Sequence, residues 1–284
     1  MTPHLKRALV TGGSGDIGGA ICQALAAIGM EVIVHAHGNL ARAEAVAASI
    51  RERGGRAQAL AFDVADGAAV GAALEPLLAG GRIDVLVNNA GYSILGAVEE
   101  ISDAEVRANF DINVFAVLNT LRAVLPVMRG QGGGHIVNIA SISASIGGAT
   151  TGIYSASKAA VLLLSESLAA EVAEFGIRVT ALCPGGFRTD FLDTKSSSRH
   201  PRLAIEAYVS THQVLENYAR LDQHQGGDPA RAGEVIVALS RMDDPPTRLY
   251  IGADALRGIQ HKLQAVAQGV QEYQQLGMDT GFRR

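Results

Sequence analysis

The sequence predicts an α/β fold: a doubly wound, seven-stranded parallel sheet with helices on both faces. Three observations predict it. Short, continuous Val/Ile/Leu runs alternate with helix-length amphipathic segments, and continuous runs mean strands covered on both faces. A glycine-rich turn joins the first run to the first helix, where such sheets place one. A chain of 284 residues, 48% hydrophobic and 18% charged, can bury one large core. No linker and no internal repeat interrupts residues 1–284, so one domain is expected.

The elements follow in order. Ala8–Thr11 is the first strand, and Thr11-Gly12-Gly13-Ser14-Gly15-Asp16-Ile17-Gly18 leads from it into a helix over Gly19 to Gly29. Glycines there permit a tight turn and let a phosphate approach backbone amides at a helix N-terminus. Gly12, Ser14, Gly15, Asp16, Ile17 and Gly18 are therefore candidate phosphate-binding residues. Val32–His35 is the second strand. A dinucleotide fold that prefers NAD places an acid about 20 residues beyond the loop, on the ribose 2′-hydroxyl. Ala36 and His37 stand there instead, and no acid appears before Glu44. Nothing would repel a 2′-phosphate, and His37, Asn39 and Arg42 either contact one or are merely solvated. NADP(H) is favoured over NAD(H).

The remaining strands are Ala57–Phe62, Val85–Asn88, His135–Ala140, Arg178–Cys183 and Leu249–Gly252. Two regions break the rhythm. Residues 191–227 are polar and loosely patterned, with Ser196-Ser197-Ser198, Pro201 and scattered Leu203, Ile205, Tyr208, Val209, Leu215 and Tyr218, and predict short helices forming a flap. Over 254–278, Ile259, Leu263, Val266, Val270, Tyr273 and Leu276 recur at intervals of three and four, one apolar face of a long helix. That face must pack on the domain body, the flap or a second subunit.

Tyr154-Ser155-Ala156-Ser157-Lys158 carries the chemistry. Residues four apart on a helix share a face. A phenol titrates near ~10, and a neighbouring ammonium favours the phenolate, so a Tyr–Lys pair can be an acid/base tuned toward neutrality. Alone, the pattern describes many solvated surface pairs.

Its company is more specific. The glycine loop at 11–18, Asp63-Val64 after the third strand, Asn88-Asn89-Ala90-Gly91 after the fourth, Asn113 in Asp111-Ile112-Asn113-Val114, Ser141 thirteen residues before Tyr154, and Pro184-Gly185 followed by Thr189 occur in sequence order. Over nearly its whole length the chain resembles the compact branch of the short-chain dehydrogenase/reductase family. The resemblance implies a Rossmann-type fold and a catalytic set of Asn113, Ser141, Tyr154 and Lys158. Tyr154 would exchange a proton with the substrate oxygen, and Ser141 would hydrogen-bond that oxygen. Lys158 would lower the Tyr154 pKa and bond the nicotinamide ribose, and Asn113 would anchor a water leading to Lys158. It implies cofactor contacts at Asp63 and Val64 (adenine), at Asn89, Ala90 and Gly91, at Tyr154 and Lys158, and at Pro184, Gly185, Phe187 and Thr189 around the nicotinamide carboxamide. It also implies a homodimer or homotetramer, with dimer helices over about Asn109–Met128 and Tyr154–Phe175.

One departure stands out. The compact branch places glycine where this chain has Asp16, and the spacing Gly12, Gly15, Gly18 is that of the sugar-nucleotide branch. Asp16 either crowds the phosphates or points to solvent as a helix-start residue, the second being favoured. Tyr92, Ile94, Leu95, Ile142, Ile146 and Phe187 are candidates for a substrate wall or for ordinary core, with Tyr92, Ile142, Phe187 and Ser141 carried as substrate contacts. His135 and His212 have no identifiable partner.

The N-terminal half is similar to 3-oxoacyl-carrier-protein reductases. The long flap and tail more closely resemble family members acting on lipophilic alcohols and ketones, including hydroxysteroid-type dehydrogenases. The expected activity is hydride transfer between NADP(H) and a fairly apolar ketone, aldehyde or secondary alcohol. A 3-oxoacyl thioester reductase is the alternative, and a non-catalytic cofactor-binding regulator or a sugar-nucleotide epimerase fits less well. A net charge of −4 without a Lys/Arg cluster argues against nucleic acid or membrane surfaces as partners. Met1-Thr2-Pro3-His4-Leu5-Lys6-Arg7 leads straight into a strand, with no signal peptide and no run of bilayer length expected. Two cysteines, Cys22 and Cys183, fit a reducing cytoplasm and suggest no metal site.

Overall fold

A computed structural model describes residues 5–79, 81–195 and 197–282. The first four residues of the N-terminal lead-in, and Ser196 of the serine-rich stretch, lie outside the described residues. The strands are β1 (Arg7–Thr11), β2 (Glu31–Ala36), β3 (Arg56–Ala61), β4 (Val85–Asn88), β5 (Ser93–Ile94), β6 (Gly134–Ile139), β7 (Ile177–Pro184), β8 (Ser198–Arg199) and β9 (Arg248–Ile251). Seven of them form one parallel sheet in the order β3-β2-β1-β4-β6-β7-β9, a doubly wound, Rossmann-type arrangement. The order reverses between β1 and β4, where such sheets open a crevice for ligands at their carboxyl ends.

The connecting helices are α1 (Asp16–Ala27), α2 (Leu40–Glu52), α3 (Gly67–Ala79), α4 (Asp103–Phe110), α5 (Ala116–Gln131), α6 (Gly152–Val172), α7 (Val209–Arg220), α8 (Pro229–Arg241), α9 (Ala253–Glu272) and α10 (Gln274–Met278). One core layer sets α1, α2 and α8 against the sheet through residues such as Ile21, Leu25, Ile50 and Ile236. The opposite layer sets α3, α5 and α6 against it through Leu74, Leu121, Val124, Met128 and Val161. α1 and α8 pack closely because a Cβ on Gly233 would stand 2.8 Å from the Ala20 carbonyl oxygen. The helical run Asp103–Gln131 is long and apolar enough, by length and composition, to cross a membrane, contrary to the expectation that no such run exists. Here Val117, Leu121, Val124 and Met128 on it are buried in the second core layer.

Several expectations change in detail. β3 and β9 are edge strands and only partly buried, since each has a neighbour on one side alone. α1 starts at Asp16, because Gly15 takes the extended conformation of an N-cap. The helix through Asn109 is not uniform: Asp111–Phe115 forms a π-turn between α4 and α5. The flap contains one full helix, α7, plus a 3₁₀ turn at Asp190–Leu192, and it is closed to the body by the parallel pairing of β8 with β5. The C-terminal helix breaks at Tyr273 into α9 and α10. Only its first turns pack on the body, through Ala255 and Ile259. Leu263, Val266, Val270, Tyr273 and Leu276 remain exposed, so neither the domain body nor the flap covers that face.

A buried polar chain ties the sheet to both helices of the second layer. The Asn88 Nδ2 donates to Asn138 Oδ1 at 2.8 Å, across a β4–β6 register that sets the two side by side. Thr120 Oγ1 of α5 donates to Asn88 Oδ1 at 2.6 Å, and Asn138 Nδ2 donates to Ser165 Oγ of α6 at 2.9 Å. Each buried group has its partner, so removing one strands its neighbours without water. Asn138→Ala is expected to cost about 2–3 kcal/mol in urea unfolding. The double change Asn88→Leu with Asn138→Leu is expected to cost less than the sum of the two single changes.

Candidate active site

The glycine loop bends over the crevice. Gly12 takes a left-handed conformation (φ +63°), and a Cβ on Gly18 would collide with the Gly12 carbonyl. Both positions need glycine for the loop to fold back against α1. The loop is fastened from two sides. Thr11 Oγ1 accepts the amides of Asn89 and Ala90 at 3.0 and 3.1 Å, and Asn89 Nδ2 donates to the carbonyls of Thr11 and Gly12. On the other side the Gly12 amide donates to His35 Nδ1 at 3.1 Å, while His35 Nε2 meets the Phe62 carbonyl at 2.9 Å. These bonds fix His35 as the Nε2–H tautomer, and burial holds its pKa below the usual histidine value. His35 supports the loop, a role the sequence reading did not give it.

Asp16 follows neither course expected of it. Its Oδ2 accepts the backbone amide of Asp190 at 2.7 Å, tying the glycine loop to the start of the flap. Both residues line one groove of about 1100 Å³, together with Gly12, Ser14, Gly15, Ile17 and Gly18. His37 and Arg42 line this groove, but Asn39 does not: its Oδ1 accepts the Arg42 amide at 3.2 Å and caps α2. Val64 lines the groove. Asp63 does not, because its Oδ1 accepts the Ala65 amide and lies 3.5 Å from His37 Nδ1.

Asn113, Ser141, Tyr154 and Lys158, the set that the resemblance implies, converge at the carboxyl ends of β4, β6 and β7. Tyr154 and Lys158 share the buried face of α6, and both line the groove with Ser141. Ser141 caps a 3₁₀ turn by accepting the Ser143 amide at 3.1 Å, and its side chain lines the groove beside Tyr154. Lys158 Nζ donates to the Ile139 carbonyl at 2.8 Å. Burial pushes the lysine down to about 8. Burial pushes Tyr154 up to about 12, with the Ser141 hydrogen bond working the other way. This corrects the expectation that Lys158 lowers the tyrosine. The ammonium is turned to Ile139, and removal from water dominates.

Asn113 sits in the π-turn, a device that re-aims side chains at functional sites. Its Oδ1 accepts the Tyr92 amide at 3.0 Å, and its Nδ2 donates to the Tyr92 carbonyl and Ser157 Oγ, both at 3.0 Å. Asn109 Nδ2 donates to the same Tyr92 carbonyl. The Asn113 side chain is thus committed to positioning the segment that follows β4, and only one Oδ1 lone pair remains for the expected water. Gly91 makes this possible, since a Cβ there would stand 3.0 Å from Asn113 Oδ1 and 3.2 Å from Lys158 Nζ.

The groove floor after β7 runs through Pro184, Gly185, Gly186, Phe187 and Thr189. Asp254, in the first turn of α9, accepts the Gly186 amide at 2.7 Å, and a Cβ on Gly185 would strike its carboxylate. Tyr92, Leu95 and Ile142 line the groove, as does Phe191, whose ring centroid lies 5.9 Å from that of Tyr154. Ile94 and Ile146 do not: Ile94 is buried in the β5–β8 pair, and Ile146 lies against Gly258 of α9. The flap is anchored by buried Glu100, which accepts the amides of Ile205 and Ala97 and meets His212 Nε2 at 2.6 Å. His212 therefore has a partner that sequence spacing, 112 residues apart, did not reveal. His135 is buried with Nε2 on Thr180 Oγ1 at 3.0 Å, a structural residue.

The Asp16–Asp190 tie has a measurable consequence. Asp16→Ala is expected to speed dissociation of NADPH roughly 3- to 10-fold in stopped-flow fluorescence, whereas Asp16→Asn, which keeps an acceptor oxygen, changes it little. If the carboxylate chiefly repelled phosphates, both variants would bind NADPH more tightly.

Comparison with known proteins agrees with this geometry. The model of the short chain dehydrogenase family matches residues 6–200, more than half of the chain. A 3-ketodihydrosphingosine reductase of Bacteroides thetaiotaomicron is 36% identical over 202 residues, covering 70% of this chain and 74% of its own. The crystal structure of a short-chain dehydrogenase from Streptomyces avermitilis superposes with a TM-score of 0.89 at 38% identity, over 98% of this chain and 100% of that one. A gluconate 5-dehydrogenase of Burkholderia cenocepacia, solved with NADP and tartrate, superposes with a TM-score of 0.75 at 27% identity, over 89% of this chain and 95% of that one. Fold, glycine loop and matched family together make this chain a member of the short-chain dehydrogenase family, an NAD(P)-dependent oxidoreductase.

Proposed function

We propose that the protein reduces a fairly apolar ketone or aldehyde with NADPH, and oxidises the corresponding secondary alcohol in reverse, with Tyr154 as the acid/base. The observation that carries this reading is the convergence of Ser141, Tyr154 and Lys158 on the same groove as the glycine loop and the Gly185–Thr189 floor. The groove fits a dinucleotide: Gly12, Gly15, Gly18 and Gly91 line it without side chains, and no acid stands between His37 and Arg42 to repel a 2′-phosphate. Arg42 and His37 are the residues that would meet that phosphate.

When bound, the dinucleotide supplies the hydride that goes to the carbonyl carbon. The chain's own residues handle the oxygen. Tyr154, held high by burial, keeps its proton at neutral pH and is set to donate it as charge develops on the substrate oxygen. Ser141 hydrogen-bonds the same oxygen and stabilises that charge where it forms. Lys158, one helical turn away, carries the charge that would offset a nascent phenolate, and Asn113 holds the Tyr92 segment beside Gly91. Tyr92, Leu95, Ile142, Phe187 and Phe191 give the substrate end apolar walls, and the flap excludes water from them. The similarity to a 3-ketodihydrosphingosine reductase supports this substrate class. Lys195 and Arg257 also line the groove, which favours a 3-oxoacyl thioester as the second reading.

We also propose a homo-oligomer. Phe115 and Leu163 are exposed on the two helical segments that pair subunits in the family, as an interface would require.

Tyr154→Phe is expected to lower turnover about 10²- to 10⁴-fold, with the NADPH dissociation constant nearly unchanged. Retained turnover with a panel of ketones, aldehydes and acetoacetyl thioesters would remove Tyr154 from its role. Because Lys158 loses its charge above about 8, kcat for reduction in the wild type is expected to fall as pH rises through that value. A flat profile from neutrality to well above 8 would show that the ammonium is not needed.

A further inference from the structure

Ser141 and Tyr154 reach the groove from different segments. Tyr154 stands in the first turn of α6, while Ser141 follows β6 and opens a 3₁₀ turn over Ile142–Ala144. That turn is bonded within itself. The Ala144 amide donates to the Ser141 carbonyl at 3.0 Å, and the Ser145 and Ile146 amides donate to the Ile142 carbonyl at 3.0 and 3.1 Å. The chain then runs through exposed Gly147, Gly148 and Ala149, where Gly148 bonds to Thr151 at the start of α6.

The far end of the serine turn is held from the edge strand. Ser145 Oγ meets the Tyr250 hydroxyl of β9 at 2.7 Å. Arg248 Nη1 donates to the same hydroxyl at 3.2 Å, and Arg248 Nε donates to Glu166 Oε1 of α6 at 2.8 Å. A guanidinium only donates, so the Tyr250 oxygen accepts from Arg248 and its own hydrogen is left for Ser145. Tyr250 is half-buried. The parallel register sets it beside Cys183 of β7, and it and Ala144 pack against one small cluster of Ala140, Leu162, Ala181 and Cys183. The run Ser145–Tyr250–Arg248–Glu166 thus joins the serine turn to the helix that carries Tyr154 and Lys158. None of these four residues lines the groove.

We infer that Tyr250 is a positioning residue for the reaction: through Ser145 it fixes the serine turn against α6, so that the Ser141 hydroxyl is aimed at the substrate oxygen. A donor to a developing oxyanion works only where it is preorganised, and a displacement of about 0.5 Å is enough to weaken it. Tyr250 itself stands outside the groove, so its effect on catalysis runs through Ser141. The inference rests on the reduction proposed above, in which Ser141 bonds the substrate oxygen.

Tyr250→Phe keeps the ring and removes the hydroxyl. With NADPH and a carbonyl that the wild type reduces, this variant is expected to lower kcat about 3- to 10-fold, with KM and the NADPH dissociation constant nearly unchanged. Ser145→Ala, which removes the other partner of the same bond, is expected to give a similar loss, and the double variant no greater one. In a Ser141→Ala background, followed in single turnovers at high enzyme concentration, Tyr250→Phe is expected to cost nothing further, because no hydroxyl is left to aim. Three outcomes overturn the inference: an unchanged kcat in Tyr250→Phe, the same proportional loss with and without the Ser141 hydroxyl, or a loss confined to KM or to NADPH binding. A wild type that oxidises NADPH with no ketone, aldehyde or acetoacetyl thioester would instead remove the proposed reduction, and this role with it.

Discussion

The site is organised around a buried ammonium. Lys158 lies inside the protein, and its ammonium donates to a main-chain carbonyl at the end of β6. Removing such a group from water is costly, and the fall of its pKa to about 8 measures how nearly the protein fails to keep it charged. Much of the surrounding structure accommodates it. Gly91 has no side chain where one would crowd the ammonium, and the π-turn brings Asn113 to the far side of that glycine. Ser157, next to the lysine, anchors Asn113 in turn. A helix without the extra residue would turn the asparagine away and leave the Tyr92 segment unsupported.

Around this centre the loops are joined by a recurring device: a carboxylate on one segment accepts a main-chain amide of another. Asp254 holds Gly186, Glu100 holds Ile205 and Asp16 holds Asp190. Charge-assisted bonds of this kind are stronger than neutral ones, and they bring no second charged side chain into the groove. They also explain how an acidic protein builds a site for a polyanionic cofactor. Its carboxylates near the groove are occupied with amides, and the loop that faces phosphate is lined mainly by glycine and backbone.

The sheet, the glycine loop and the Ser141–Tyr154–Lys158 set were legible because each is local. A buried parallel strand is a continuous apolar run, a phosphate loop is glycine between strand and helix, and a tyrosine and lysine four apart must share a helix face. What could not be read depends on long-range partners. His212 and Glu100, Asp16 and Asp190, and Asp254 and Gly186 are far apart in the chain, and nothing in their own spacing announces them. Asn39 and Asp63 stand outside the groove lining for a related reason. Short polar side chains at loop ends bond their own backbone more readily than a ligand, and both do so here. A shared helix face says nothing about desolvation, so the upward push of burial on Tyr154 has no signature in the spacing.

The bond between Asp16 and the flap reaches a main-chain N–H, not the Asp190 side chain. Its two ends therefore differ in genetic tolerance. At 190 any amino acid with an amide hydrogen preserves the bond, and only proline abolishes it. At 16 the side chain itself is the acceptor, so few replacements keep it. Drift in the flap sequence, where new substrate preferences would arise, can thus proceed while the flap stays fastened to the glycine loop.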